Sequence, residues 1–130
     1  MAACVVIHAG GMTIALRHAR RLDVAETFSQ WTWLFIRLAG WTILLHLLEI
    51  TIWALLYSWR GAIADLPDAL YFSAVTYTTT GYGDIVLPQE WRLVGAVEAL
   101  TGILMCGWST GFFFAIVSRV YSSHRETRSV

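Results

Sequence analysis

The chain has 130 residues, 57% of them hydrophobic and 14% charged, with a mean hydropathy of +0.58 and no net charge. That balance is too apolar for an ordinary soluble domain and points to a membrane protein. All 9 basic residues are arginine and they form no long basic run, which excludes the usual footprint of nucleic-acid binding.

Ala2 to Leu16 is apolar but short. At about 1.5 Å per residue it would reach roughly 22 Å, less than the ~30 Å hydrocarbon core, so a membrane-associated helix is expected there. His8 within it reads as a packed or interfacial side chain. No charged leader precedes this stretch, so no secretory signal is expected. Cys4 and Cys106 sit in separate apolar stretches, which gives no support for a disulfide. Arg17, His18, Arg20 and Arg21 form a basic cluster, read as the flank that sets topology. The polar stretch Asp23 to Gln30 follows, and Trp31 and Trp33 mark the approach to a bilayer interface.

Leu38 to Trp59 has the length of a transmembrane helix, with Arg37 at one end and Trp59 and Arg60 at the other. Inside it, His46 and Glu49 stand three apart and so share a face. Ionisable groups at that depth are costly and turn towards protein. A mutually satisfied pair that fixes helix packing is expected, with a proton-sensitive switch as the sharper alternative. Gly61 to Leu66 reads as a short connection. Pro67 suits the first turn of a helix, and Asp65 and Asp68 lie where acids favour its N-terminus. Pro67 to Thr78 makes about three turns, too short to span but suited to a re-entrant helix surrounded by protein.

Thr78-Thr79-Thr80-Gly81-Tyr82-Gly83-Asp84 follows. Its alternating glycines allow backbone conformations closed to other L-residues, so successive carbonyls can point the same way. Carbonyls from several copies can replace the hydration shell of a dehydrated cation. Trp91 to Val120 is the second long apolar segment, roughly 45 Å if wholly helical, and should tilt or protrude. Its Gly95, Gly102, Gly107 and Gly111 suit close helix approach. Glu98, about two turns in, is placed to face the back of the short helix and hydrogen-bond to the scaffold around it. Ser118 to Val130 is polar.

Thr76 to Asp84, TYTTTGYGD, resembles the selectivity filter of the two-transmembrane pore-domain potassium channels. The resemblance covers about Leu38 to Val120 and includes Trp91-Arg92-Leu93-Val94 after the filter. It implies an all-α membrane protein: a transmembrane helix, a re-entrant pore helix with its filter, and a second transmembrane helix, with an extra short N-terminal helix. It divides the chain into an N-terminal segment (1–37), a pore domain (38–120) and a short cytoplasmic tail (121–130). It implies backbone carbonyls of Thr79, Thr80, Gly81 and Tyr82, with Gly83, lining potassium sites, and the Thr79 hydroxyl completing the innermost one. Thr78 and Asp84 would hold the filter's ends. Tyr71 and Phe72 stand where the family has an aromatic pair bracing the filter, and Tyr82 should pack against them. Gly102 falls at the family's hinge glycine.

Two departures stand out. Thr80 replaces the usual Val or Ile, which leaves weak cation selectivity open. Val75 stands where some bacterial members pair a glutamate with the filter aspartate, so Asp84 needs another partner. If both helices run as the resemblance implies, six arginines (Arg17, Arg20, Arg21, Arg119, Arg125 and Arg128) share one side of the two-helix unit, against Arg60 and Arg92 in the connecting stretch from Ser58 to Arg92. The positive-inside rule therefore places both ends in the cytoplasm and opens the filter outward, into a stretch carrying Asp65, Asp68, Asp84 and Glu90. With one filter per chain and no internal repeat, the resemblance implies a homotetramer in the membrane lipid of a bacterial inner membrane, conducting potassium ions. A non-conducting subunit is the alternative from another class. An enzyme is not expected, because His8, His18, His46 and His124 are scattered along the chain and offer no nucleophile–base set or metal-ligand spacing.

Overall fold

A computed structural model describes residues 1–21 and 28–126. Four helices carry the chain: α1 (Ala2–Arg21), α2 (Phe28–Trp59), α3 (Leu66–Tyr77) and α4 (Arg92–Glu126), with a 3₁₀ turn at Gln89–Trp91 before α4. Two stretches, Ser29–Trp59 and Gln89–Ser118, are long and apolar enough to cross a membrane. Many large apolar side chains are exposed along both, as at Leu44, Leu55, Ile103 and Phe114. The polar residues Thr42, Glu49, Glu98, Thr101 and Ser109 are buried instead. Exposed apolar side chains with polar ones buried beneath them suit helices solvated by lipid or by other chains.

Cys4, His8, Gly11, Met12 and Ala15 are buried on α1, one stripe at helical spacing. The stripe runs antiparallel along α2, with Cys4 in one core cluster with Trp53 and with Met12 and Ala15 in another with Leu34 and Leu38. Gly11 gives the close approach, since a β-carbon there would stand 2.5 Å from a Leu45 methyl. The Gly11 carbonyl accepts a hydrogen bond from Trp41 Nε1 at 3.0 Å.

α2 closes at Gly61, whose φ of +72° turns the chain while the Ala62 amide donates to the Tyr57 carbonyl at 2.9 Å. Asp65 then caps α3 from an extended backbone, with proline in the first turn. α3 is held between α2 and α4, with Ala69, Ser73 and Tyr77 buried.

Three boundaries differ from those expected. α2 begins at Phe28, not Leu38, because Leu34 and Leu38 both pack against Met12, Ala15 and Phe112. α1 continues past Leu16 to Arg21 and packs on both α2 and α4. The helix of α4 runs on to Glu126, so most of the expected polar tail is helical. Residues 22–27, which take in the first part of the expected polar stretch, and 127–130 lie outside the described residues.

Gly102 lies at the closest approach of α4 to α3. A β-carbon there would fall 1.9 Å from the Tyr77 carbonyl oxygen, which is backbone and cannot rotate away. The Gly102→Ala variant should therefore lose stability by about 1–3 kcal/mol or more, the usual range for overpacking. Gly40→Ala, with open space at its β-position, should not. Thermal unfolding in detergent measures both. Equal stability of the two variants would remove the packing role and leave only the hinge expected from the sequence.

Candidate functional site

The segment that follows α3 hangs from its last turn. The amide of Thr79 donates to the Thr76 carbonyl at 2.9 Å, and the amides of Thr80 and Gly81 donate to the Val75 carbonyl at 2.9 and 3.3 Å. These bonds occupy carbonyls that a helix end otherwise leaves open. The Thr78 hydroxyl donates to the Ala74 carbonyl at 2.7 Å and lies 3.0 Å from the Thr80 hydroxyl.

Beyond that anchor the backbone alternates. Thr79, Gly81 and Gly83 have φ of +60°, +58° and +77°, while Thr80 and Tyr82 between them, and Asp84 after them, are not at positive φ. Alternation of the two hands turns successive peptide planes so that carbonyls can gather on one side of the strand. Glycine reaches positive φ at little cost, but Thr79 does not. It is the single non-glycine residue at positive φ in the described chain, and such a conformation costs on the order of 1–3 kcal/mol. The glycine spacing was readable in the sequence, whereas the strain at Thr79 carried no residue-type signal.

Each residue expected at the site has a definite place. Tyr71 donates its hydroxyl to Asp84 Oδ2 at 2.7 Å, and the Ile85 amide donates to Asp84 Oδ1 at 3.1 Å. Tyr71 is thus the partner that Val75 cannot be, and its bond holds the Asp84 carboxyl below its ordinary value. Phe72 packs edge-on against Tyr57, ring centres 5.4 Å apart. Tyr82 is 72% exposed and makes no ring contact with Tyr71 or Phe72 of its own chain among the described residues. Thr79 is exposed, with no hydrogen bond to its hydroxyl among the described residues. Glu98 is buried and accepts a hydrogen bond from the Tyr57 hydroxyl of α2 at 2.8 Å, and it also faces Ser73 of α3.

A family model described as "Ion channel" matches residues 41–119, the greater part of the chain. The chain belongs to this ion-channel family. No curated protein and no solved structure gives a significant match. The matched span takes in most of α2, all of α3, the alternating strand and most of α4. The channel's α1 lies before it, yet supplies His8 to a buried cluster.

That cluster corrects the reading of the histidines. His8 and His46 are far apart in sequence, but their rings lie 5.2 Å apart. The expected His46–Glu49 pair is a long one, 4.0 Å, while His8 Nδ1 lies 2.9 Å from Glu49. Tyr77 and Ser109 complete the cluster and no sequence motif marked either. The His8 signal was its place on the stripe with Cys4, Met12 and Ala15, legible once α1 is paired with α2.

Asp84 gives the channel a testable acid response. Its lowered carboxyl supports the outer strand above the ordinary carboxylate range, and that support is lost as pH falls through the lowered value. In the Tyr71→Phe variant the carboxyl returns towards its ordinary value. Inhibition of ion flux by external acid should therefore begin at a higher pH than in the wild type. Coincident acid-inhibition curves would show that the Tyr71–Asp84 bond does not support the outer strand.

Proposed function

We propose that the chain is one subunit of a potassium-selective homotetrameric channel of the bacterial inner membrane. Four strands, one per subunit, surround a central axis. Carbonyls of Thr79, Thr80, Gly81 and Tyr82 line its ion sites. The observation that carries this reading is the alternation of positive φ at Thr79, Gly81 and Gly83. One strand cannot enclose an ion, and closed symmetry supplies the others. The free Thr79 hydroxyl completes the innermost site. α3 serves as the pore helix, with the negative end of its dipole at the foot of the filter. Potassium is the cargo and passes down its gradient.

The placement of Thr80 favours this over weak cation selectivity. Its hydroxyl is 3.0 Å from that of Thr78, which is itself tied to the Ala74 carbonyl. The extra oxygen anchors the strand to the pore helix from behind. The exposed Tyr82 ring is covered in the assembly by a neighbouring subunit, which holds the strand from its outer side.

Purified protein in liposomes tests the reading. Potassium efflux should be blocked by external barium, and reversal potentials in mixed salts should follow potassium over sodium. Gly81→Ala should abolish flux, because φ of +58° strains any L side chain. Equal potassium and sodium permeability would support the weakly selective alternative. A wild-type protein that conducts nothing would support a non-conducting subunit.

A further inference from the structure

Five polar side chains, drawn from all four α-helices, meet beneath the foot of α3. His8 Nδ1 lies 2.9 Å from Glu49 Oε1, and the Tyr77 hydroxyl donates to Glu49 Oε2. His46 Nδ1 lies 3.0 Å from the same tyrosine hydroxyl, and His46 Nε2 lies 3.2 Å from Ser109 Oγ. Ser109 Oγ lies 3.1 Å from His8 Nε2, which closes the circuit. His8 and Glu49 have no exposed side-chain surface, and His46 has 18%. In such a place each edge left without a hydrogen is costly.

Counting hydrogens shows what the ring needs. Each of its edges takes one. An ionised Glu49 supplies none, each neutral imidazole supplies one, and the hydroxyls of Tyr77 and Ser109 supply one each. The ring is then one hydrogen short. Two lone pairs face each other across one edge, and the buried cluster carries a net negative charge.

We propose that the ring is a binding site for a single proton, which completes it and clamps α1, α2 and α4 to the last residue of α3. With the proton on His8, that ring donates to both Glu49 and Ser109. Ser109 then donates to His46, His46 to Tyr77, and Tyr77 to Glu49. With the proton on His46, that ring donates to Tyr77 and Ser109, and Ser109 turns to donate to His8. Every edge is filled in either arrangement. Tyr77 keeps its hydrogen throughout. The imidazolium and the carboxylate cancel, so the completed ring is neutral, the form that a low-dielectric interior tolerates.

Among the described residues, Cys4 on α1 and Cys106 on α4 are further titratable groups within electrostatic reach of Glu49 and Tyr77, and Trp108 lies against the His8 ring at 5.7 Å. Among the described residues no arginine forms an ion pair with the ring. His8, His46 and Glu49 each bring one ligand atom to within 4.8 Å of the others, so a metal ion is the competing occupant that the test below separates from the proton. The observed edges are hydrogen-bond lengths.

The proton site does not depend on which ion the channel conducts, and its test reads the ring directly. The full chain, with ¹⁵N-labelled histidine, is placed in lipid nanodiscs and its imidazole resonances are followed across the range where imidazole titrates. His8→Gln and His46→Gln assign the signals. One imidazolium shared between His8 and His46 is expected at low pH, lost in a single step as pH rises. The melting temperature should fall over the same step. Ser109→Ala, which opens the circuit, should shift or abolish the step, and Ser109→Thr, which keeps the hydroxyl, should restore it. If Ser109→Ala fails to fold, Ser109→Thr and the wild-type resonances decide. The proposal is overturned if both imidazoles stay in one state throughout, or if the step is unchanged in Ser109→Ala. It is also overturned if only added zinc, and no change of pH, moves the ring resonances.

Discussion

The carbonyl oxygen of Tyr77 rests in a notch that exists only because residue 102 has no side chain. The same tyrosine sends its hydroxyl to Glu49, so the last residue of α3 is held by α4 at its backbone and by α2 at its tip. The next residues are suspended from α3 through the carbonyls of Ala74, Val75 and Thr76. Where the foot of α3 sits therefore decides where the strand of alternating backbone begins. The strain at Thr79, on the order of 1–3 kcal/mol, persists because this seating over-determines it.

Packing within the chain follows the rules of helices in lipid. Apolar side chains gain little by leaving hydrocarbon for protein, so small residues and polar contacts carry the association. Gly11 against Leu45 and Gly102 against Tyr77 bring helices close. Trp41 to the Gly11 carbonyl, Tyr57 to Glu98 and the ring around Glu49 supply the hydrogen bonds. The buried acids sit on either side of the α3 contact, Glu49 at its foot and Glu98 beside its middle. Each accepts a hydrogen bond from a tyrosine on a different helix.

Much of this was legible in the sequence because it depends on local chemistry. Apolar length marked α2 and α4, and Pro67 with its flanking acids marked α3 within one residue at each end. The glycine spacing in TTTGYGD marked where the backbone would change hand. Long-range pairing was not legible. Nothing local says that His8 meets Glu49, or that Tyr71 replaces the glutamate missing at Val75. Both follow from which helix faces come together. The start of α2 was missed for the same reason, since the turns before Leu38 depend on Met12, Ala15 and Phe112. Gly102 read both as hinge and as contact, and its distance to Tyr77 shows the contact.

The central claim is that the strand from Thr79 to Tyr82 turns its carbonyls to an axis shared by symmetry-related chains. Rubidium, a heavier stand-in for potassium, can be located by anomalous diffraction from crystals of the assembled protein. The account expects a file of rubidium peaks on a four-fold axis, each caged by main-chain oxygens of those residues. Peaks elsewhere, or carbonyls turned away from the axis with no ion between the chains, would contradict it.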